Sequence, residues 1–403
     1  SNFRTALIDD PNISIASADF NMSNQIAYTS VSSIQSINSS TYWGASIGDA
    51  TGIECFVSLE ELNFRSNSLT SLDLSSNILL QKLNVFDNLL TSIDISSCTA
   101  LEILNVSYND LTSLDTSNNV LLEMLMAENS SLSSVDLTNN ASLTWISLGN
   151  EGNTPYPVAS YIANINTNGN FLWMGQSSGV YGSNALSMAR HNDFSSSSID
   201  ISNQTLLGTI NAKHCNLPAT GVDFSNNPVL STIYVPHNNI ENSGMNVTML
   251  PQLQELLIEH NELTTVPNTS NNPLLYALFA DGNSFSGTAD FTNNPNLMFV
   301  AFEGAWPSGG TIDLRNGPGN IESLAHQASF DPPPFPMDLE LKGCVNMTIK
   351  VEAADINDFK AHFYDVNGQN AAGNHIPSTS ALLGINQGNA NIGNLSSATI
   401  TSL

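Results

Sequence analysis

Apolar residues return along this chain at a fixed interval. Leu62, Leu83, Leu104, Leu125 and Ile146 are each 21 residues apart, as are Leu69, Leu90, Leu111 and Leu132, and Leu72, Ile93, Leu114 and Val135. A register of this length marks one supersecondary unit stacked on copies of itself. The unit at residues 80–98, LQKLNVFDNLLTSIDISSC, holds two half-turns: Leu80, Leu83, Val85 and Asn88, then Leu90, Ile93, Ile95 and Cys98. Alternate residues of an extended chain face opposite sides, so the Leu-x-Leu centre of each half predicts a short strand. The intervening Ser, Thr, Asn and Asp predict turns, because their side chains bond the nearby backbone. One unit cannot bury its apolar face alone. The core exists only in the stack.

The later chain repeats the theme with a longer step. Leu207, Leu230, Leu253, Leu275 and Leu297 are spaced by 23, 23, 22 and 22 residues, and Asn-Asn-Pro recurs at 226–228, 271–273 and 293–295. Thr311–Leu314 and Leu339–Leu341 read as the last worn copies. Residues 149–185 break the register and carry Tyr156, Tyr161, Phe171, Trp173 and Tyr181, which predicts an insertion or a degenerate pair of turns in one continuous stack.

Each half-turn follows L-x-x-L-x-L-x-x-(N/C), which resembles the leucine-rich repeat family. The stretch LTSLDLSSN at 69–77 is similar to the short Ser/Thr/Asn-rich repeats of surface proteins from Bacteroidetes-type bacteria, and the resemblance covers roughly residues 57–345. It implies a mainly β fold, a solenoid of parallel short strands with few helices, capped at both ends. The expected organisation is an N-terminal cap over 1–56, regular 21-residue repeats over 57–148, the insertion or degenerate repeats over 149–185, longer repeats over 186–345, and a C-terminal cap with a Gly/Asn/Ser-rich tail over 346–403. Phe3–Ile8 predicts a short helix halted before Pro11. Ala353–Tyr364 predicts a capping helix from its apolar spacing. In this family the ladder position takes Asn or Cys. Cys98, Cys215 and Cys344 hold it, so they are expected as free buried thiols, several turns apart and too distant to pair.

The charge changes the list of partners. Nine Lys and Arg stand against 36 Asp and Glu, a net charge of −27, with no Lys or Arg between Lys82 and Arg190. Nucleic acid and anionic membrane surfaces both need clustered cations, so neither is expected. No apolar run approaches the roughly 20 residues of a membrane-crossing helix. The sequence holds no G-x-S-x-G, H-E-x-x-H, phosphate loop or dinucleotide fingerprint, and no enzyme is expected. Ser1 opens the chain without a signal peptide; the expectation is that processing removed one or that none was needed.

Three columns carry chemistry. Asp73, Asp94, Asp115 and Asp136, with Asp200, Asp223, Asp290 and Asp313, occupy an outward position between core residues. Such carboxylates either bond local backbone and hydroxyls or hold calcium, which takes several oxygen ligands. His214, His237 and His260 are 23 residues apart, with His191 as a fourth candidate. They form a solvated turn position, a pH-sensitive patch, or a transition-metal site if their nitrogens converge. The third column is the outward residue of the first half-strand: Asn63, Asn84, Asn105, Met126, Ser147, Asn211, Tyr234, Leu257, Phe279 and Ala301. It turns from polar to apolar along the chain. Tyr234, Leu257 and Phe279 are the candidate ligand-binding surface, extended by Trp173 and Tyr181.

These features predict a non-enzymatic recognition or adhesion protein, extracellular or at a cell surface, whose ligand is a protein or glycan on another cell or a matrix. The alternative is a structural or host-recognition subunit of a phage virion or extracellular filament, with neighbouring subunits as partners. No cofactor is required.

Overall fold

A computed structural model of the chain describes residues 2–9, 31–38, 45–150, 192–197, 199–297, 299–302, 304–315, 338–340, 347–350 and 399–401. The chain forms two compact units, Ser1–Leu207 with Ala212–Asn216, and Gly208–Asn211 with Leu217–Leu403. The expected insertion with Trp173 and Tyr181, His191, Cys344 and the helix over 353–364 lie outside the described residues.

The first unit begins with helix α1, Asn2–Asp9. Phe3, Ala6 and Leu7 recur at helical spacing and are buried. Phe3 stacks edge-on against Phe64, with ring centroids 5.3 Å apart, and lies 6.4 Å from Phe56. Six short strands then pair in parallel and in chain order: β1 (Ser36–Ile37), β2 (Glu61–Asn63), β3 (Lys82–Asn84), β4 (Ile103–Asn105), β5 (Met124–Met126) and β6 (Trp145–Ser147). The register is that of the sequence repeat: Leu62 pairs Leu83, Leu83 pairs Leu104, Leu104 pairs Leu125, and Leu125 pairs Ile146. All five are fully buried, as are Leu69, Leu90, Leu111 and Leu132. At roughly 1.5–3 kcal/mol per buried aliphatic side chain, this common interior offsets the entropy of ordering each turn.

The second unit stacks β7 (Thr209–Asn211), β8 (Thr232–Tyr234), β9 (Glu255–Leu257), β10 (Ala277–Phe279), β12 (Phe299–Ala301) and β14 (Asp338–Glu340), again in parallel. A second parallel sheet of β11 (Thr288–Asp290), β13 (Gly310–Asp313), β15 (Met347–Lys350) and β16 (Thr399–Thr401) forms from its later turns. A cluster of Phe285, Phe291, Phe302 and Trp306 fills the interior there, with the Phe302 and Trp306 rings 4.6 Å apart. Among the described residues no helix is long and apolar enough to cross a membrane.

The second half-turn corrects one expectation. Strands were expected in both halves. Before β11, the second halves of the described turns carry only the single bridge Asp115–Asp136. Asp73, Asp94 and Asp115 each accept the N–H two residues on, from Ser75, Ser96 and Ser117 at 2.9–3.0 Å, and close a turn there. Asp290 of β11 makes the same bond within a ladder, so this bond alone does not decide between turn and strand. Leu72, Ile93 and Val135 are correspondingly half-buried rather than core.

Two asparagine ladders tie the turns together. In the first, the Asn88 amide donates to Phe64 O of the preceding turn at 2.9 Å and to Val85 O at 3.0 Å, while its oxygen accepts Leu69 N–H at 3.0 Å. Asn109, Asn261 and Asn283 repeat this pattern. In the second, Asn77, Asn119, Asn140, Asn272 and Asn294 each donate to two carbonyls of the previous turn. Cysteine replaces Asn twice: Cys98 Sγ lies 4.0 Å from Leu74 O, and Cys215 Sγ lies 3.2 Å from Leu148 O. Neither is in a disulfide, both are buried, and burial pushes Cys98 up to about 12.

The second ladder is unevenly satisfied, and the difference is one side chain. The Asn140 and Asn294 oxygens accept Thr116 and Thr269 hydroxyls at 2.8 Å. Asn119 and Asn272 have buried oxygens with no such bond, because Ile95 and Val247 stand where the threonines would be. An unsatisfied buried acceptor costs about 1–3 kcal/mol, against roughly 0.8 kcal/mol for one buried methyl. Val247→Thr is therefore expected to stabilise the protein by about 1 kcal/mol in urea unfolding. A destabilised Val247→Thr variant would refute this account of the ladder.

Candidate recognition face

Within each strand of the long sheets the central residue points into the core and its two neighbours point out. In β8, β9 and β10 the third residues are Tyr234, Leu257 and Phe279. The register sets Tyr234 beside Leu257 and Leu257 beside Phe279. Parallel strands lie about 4.8 Å apart, so the three side chains form one unbroken apolar stripe. All three are half-buried. Each covers its neighbour and leaves an outer surface open. The structure thus brings together the three residues that the spacing selected.

The first residues of the same strands border the stripe. Glu255 of β9 accepts a hydrogen bond from the Tyr276 hydroxyl, and burial raises its carboxyl above the ordinary value, with the Thr232 hydroxyl opposing. A partly desolvated carboxylate beside an apolar stripe favours a cation on whatever lies against it.

The first unit carries a second apolar patch, which the sequence reading caught only at Met126. Ile103 and Met126 are buried against each other, with Met124 and Trp145 packed on them, half-buried. Ile103, Met124 and Trp145 are the first residues of β4, β5 and β6, a column 21 residues apart like the rest. Comparing the position two before Met126 across the turns would have found them.

The early part of the outward column differs from expectation. Asn63, Asn84 and Asn105 were read as a polar surface; they are buried. Each oxygen accepts the N–H two residues on, from Arg65 at 3.3 Å, Phe86 at 3.0 Å and Ser107 at 3.1 Å, and Asn63 also donates to Asn38 at 2.9 Å. Stacked amides at strand spacing cover one another and leave little for a ligand.

The histidine column is a backbone position before it is a chemical one. His214, His237 and His260 have φ of 52°, 55° and 51°. Ser66, Asp87, Tyr108 and Asn129 hold the same left-handed place in earlier turns, and Gly282 and Gly304 in later ones. Asn, Asp and His tolerate this region better than other non-glycine residues. The His237 and His260 rings stack with centroids 4.4 Å apart at 18°. Lone pairs of stacked rings run side by side, whereas a shared ion needs them aimed at one point. Among the described residues no group of three or more His, Cys, Asp or Glu side chains is placed to hold a metal ion.

The His260 ring lies over Gly282, where an added Cβ would stand 2.2 Å from Nδ1. Gly282→Ala is expected to cost about 1–2 kcal/mol from its positive φ alone. It should also push His260 off His237, read as a changed His260 ring shift by NMR. Asn in place of Ala is expected to cost less, since Asn129 occupies this conformation. Equal losses for Ala and Asn would place the cost elsewhere.

The aspartate column takes the local form. Asp73, Asp94, Asp115, Asp136 and Asp200 are exposed, and hydrogen bonds from Ser or Thr two residues on hold each below the usual carboxylate value. Asp223 and Asp290 make the same bond. Asp313 departs from the column: it is buried and paired with the Arg315 guanidinium at 2.6 and 2.8 Å.

No protein-family model and no curated protein matches the sequence. Solved structures do. A plant peptide hormone receptor, RGFR1 in complex with RGF2, is similar over 76% of this chain and 43% of its own length, at 17% identity and a TM-score of 0.50. The chain therefore spans less than half of that receptor. An internalin, InlF of Listeria monocytogenes, is similar over 86% of this chain and 87% of its own, at 16% identity and a TM-score of 0.49. The leucine-rich repeat domain of APL1 follows at 16% identity, 82% and 78% coverage and a TM-score of 0.47. With its parallel strands one turn apart, its register of buried leucines and its asparagine ladders, this chain has the leucine-rich-repeat fold.

Proposed function

We propose that this protein is a non-enzymatic recognition module whose outward strand face binds a protein partner. The observation that carries the reading is the in-register stripe Tyr234, Leu257 and Phe279 on β8, β9 and β10, open to solvent on one side. Side chains fixed on hydrogen-bonded strands lose little entropy on binding, so apolar contact converts efficiently into affinity. Aromatic anchors among aliphatic neighbours are the composition of binding hot spots. The structural neighbour solved as a receptor with RGF2 supports a peptide or protein ligand for this fold. Glu255 beside the stripe adds a preference for a basic residue next to the ligand's apolar one.

A surface or extracellular setting belongs to the same reading, supported by the bacterial surface repeats that the sequence resembles and by the acidic, self-repelling charge. The test is binding of the labelled chain to a panel of bacterial cells, surface polysaccharides and candidate ectodomains, in calcium and in EDTA. Saturable binding to a protein ligand, weakened at least tenfold by Tyr234→Ala or Phe279→Ala, is expected. Loss in EDTA would return the Asp and His columns to the site. A folded chain that binds nothing would favour the structural-subunit alternative.

A further inference from the structure

A second surface lies on the turns that follow the second asparagine ladder. In the first unit, the two residues after each ladder side chain run Ile78-Leu79, Thr99-Ala100, Val120-Leu121, Ala141-Ser142 and Thr205-Leu206. The order of these turns is set by the ladder itself, since Asn140 bonds Asn119 O, and Gln204 bonds Leu137 O in the place where Asn140 bonds Thr116 O. Large apolar residues thus stand on every second turn with small ones between. They are open: Ile78 is 55% exposed, Leu79 46%, Val120 51%, Leu121 50% and Leu206 56%. No function assigned so far uses them.

The same turns carry the carboxylates of Asp73, Asp94, Asp115, Asp136 and Asp200, one per turn. Neighbours are close enough that Asp94 acts on both Asp73 and Asp115, and Asp136 feels Asp115 and Asp200. Local hydrogen bonds nevertheless keep them ionised. Three of them, Asp94, Asp115 and Asp136, lie in the stretch between Lys82 and Arg190 that holds no Lys or Arg, and Lys82 is paired with Glu61. A cleft lined by Ile93, Asp94, Ile95, Ser96, Asp115 and Asn118 opens between two of these turns, one residue before the ladder position that leads to Val120. It offers a seat for a long cationic side chain.

We propose that this ridge docks a cationic amphipathic helix of a partner protein. Two conditions identify the occupant. Charge complementarity requires a basic partner and disfavours a second copy of this chain, which would bring another −27 and its own carboxylate column. Spacing suits a helix lying along the stack. Apolar knobs on alternate turns repeat at about 9.6 Å, twice the strand spacing of about 4.8 Å, close to the roughly 10.5 Å between helix positions i and i+7. Carboxylates one turn apart match Lys or Arg placed at i and i+3 or i+4. The small residues at Ala100 and Ser142 leave room for side chains between the knobs.

The proposal uses none of the residues of the strand face, so the two readings fail separately. The probe is an 18-residue synthetic helix with Leu at i, i+7 and i+14 and Lys on either side, measured by fluorescence anisotropy against the full chain in physiological salt. Controls replace every Leu by Ser, or every Lys by Glu. Saturable binding to the Lys/Leu peptide is expected, at least tenfold weaker for Lys/Ser and absent for Glu/Leu. An Ile78→Ser, Val120→Ser, Leu206→Ser variant should lose at least tenfold, and Asp94→Asn with Asp115→Asn should flatten the salt dependence. Leu257→Asp, which disables the strand face, should leave binding of this peptide as it was; a loss there would move the peptide to the strand face and overturn the proposal. These positions are exposed, and circular dichroism checks that the variants fold. Equal binding of Lys/Ser and Lys/Leu would reduce the effect to general attraction and overturn the proposal. So would an unchanged triple-serine variant, or a dimer of the chain itself that this variant dissolves.

Discussion

Asn109→Ala is expected to destabilise the protein by about 3–5 kcal/mol. The side chain is fully buried. Its amide donates to Val85 O of the preceding turn and Val106 O of its own, both at 2.9 Å, and its oxygen accepts Leu90 N–H at 3.0 Å. Alanine leaves one N–H and two carbonyls where Leu90, Val85 and Val106 exclude water. Each orphaned group costs about 1–3 kcal/mol, and partial relaxation keeps the sum below the simple total. The effect should spread, because a repeat stack is stabilised by its interfaces and this residue belongs to the interface with the turn before it. Urea unfolding followed by circular dichroism checks the loss, with the exposed Ser113→Ala as control. A loss below about 1 kcal/mol would mean that the ladder is a consequence of the stack and not one of its causes.

Leu257→Asp is expected to abolish ligand binding, by at least a hundredfold, while unfolding stability moves by less than about 1 kcal/mol. Leu257 is the centre of the stripe, paired in register with Tyr234 on one side and Phe279 on the other. In the free protein it is half-buried, so a carboxylate there keeps contact with water and folding barely responds. In a complex the same carboxylate is desolvated among apolar groups, a penalty of several kcal/mol for an unpaired charge. Every 1.4 kcal/mol is a factor of ten in affinity, so even about 3 kcal/mol suffices. The measurement is the dissociation constant for the ligand found in the binding panel, beside a urea titration of the same variant. Unchanged affinity would remove this face from the site. A stability loss as large as the binding loss would make the effect one of folding.

The candidate site was partly legible from spacing. Tyr234, Leu257 and Phe279 were selected because they share a place in the repeat, and the register pairs them. Ile103, Met124 and Trp145 went unread beside Met126 because only one of the two outward columns was followed. The Asn63, Asn84 and Asn105 column looked solvent-facing because alternation gives the direction of a side chain but not what covers it. The histidine column looked like chemistry, and its φ values show a turn with a backbone requirement that Ser66, Tyr108 and Gly282 meet as well.

What the sequence by itself determined is the stack. A 21-residue spacing of leucines repeated in register admits one arrangement, since each unit needs a copy of itself on either side to bury its apolar face. The ladder places of Cys98 and Cys215 and the first helix were equally legible, because they follow from spacing and local chain preference. Tertiary structure alone decided which half-turn becomes a strand: Asp115 and Asp290 make the same local bond, yet a second ladder forms only from β11 onward. It alone decided that Asn63 is buried while Tyr234 keeps an open surface. Burial is a property of neighbours on adjacent turns, and those neighbours are about twenty residues away in the chain.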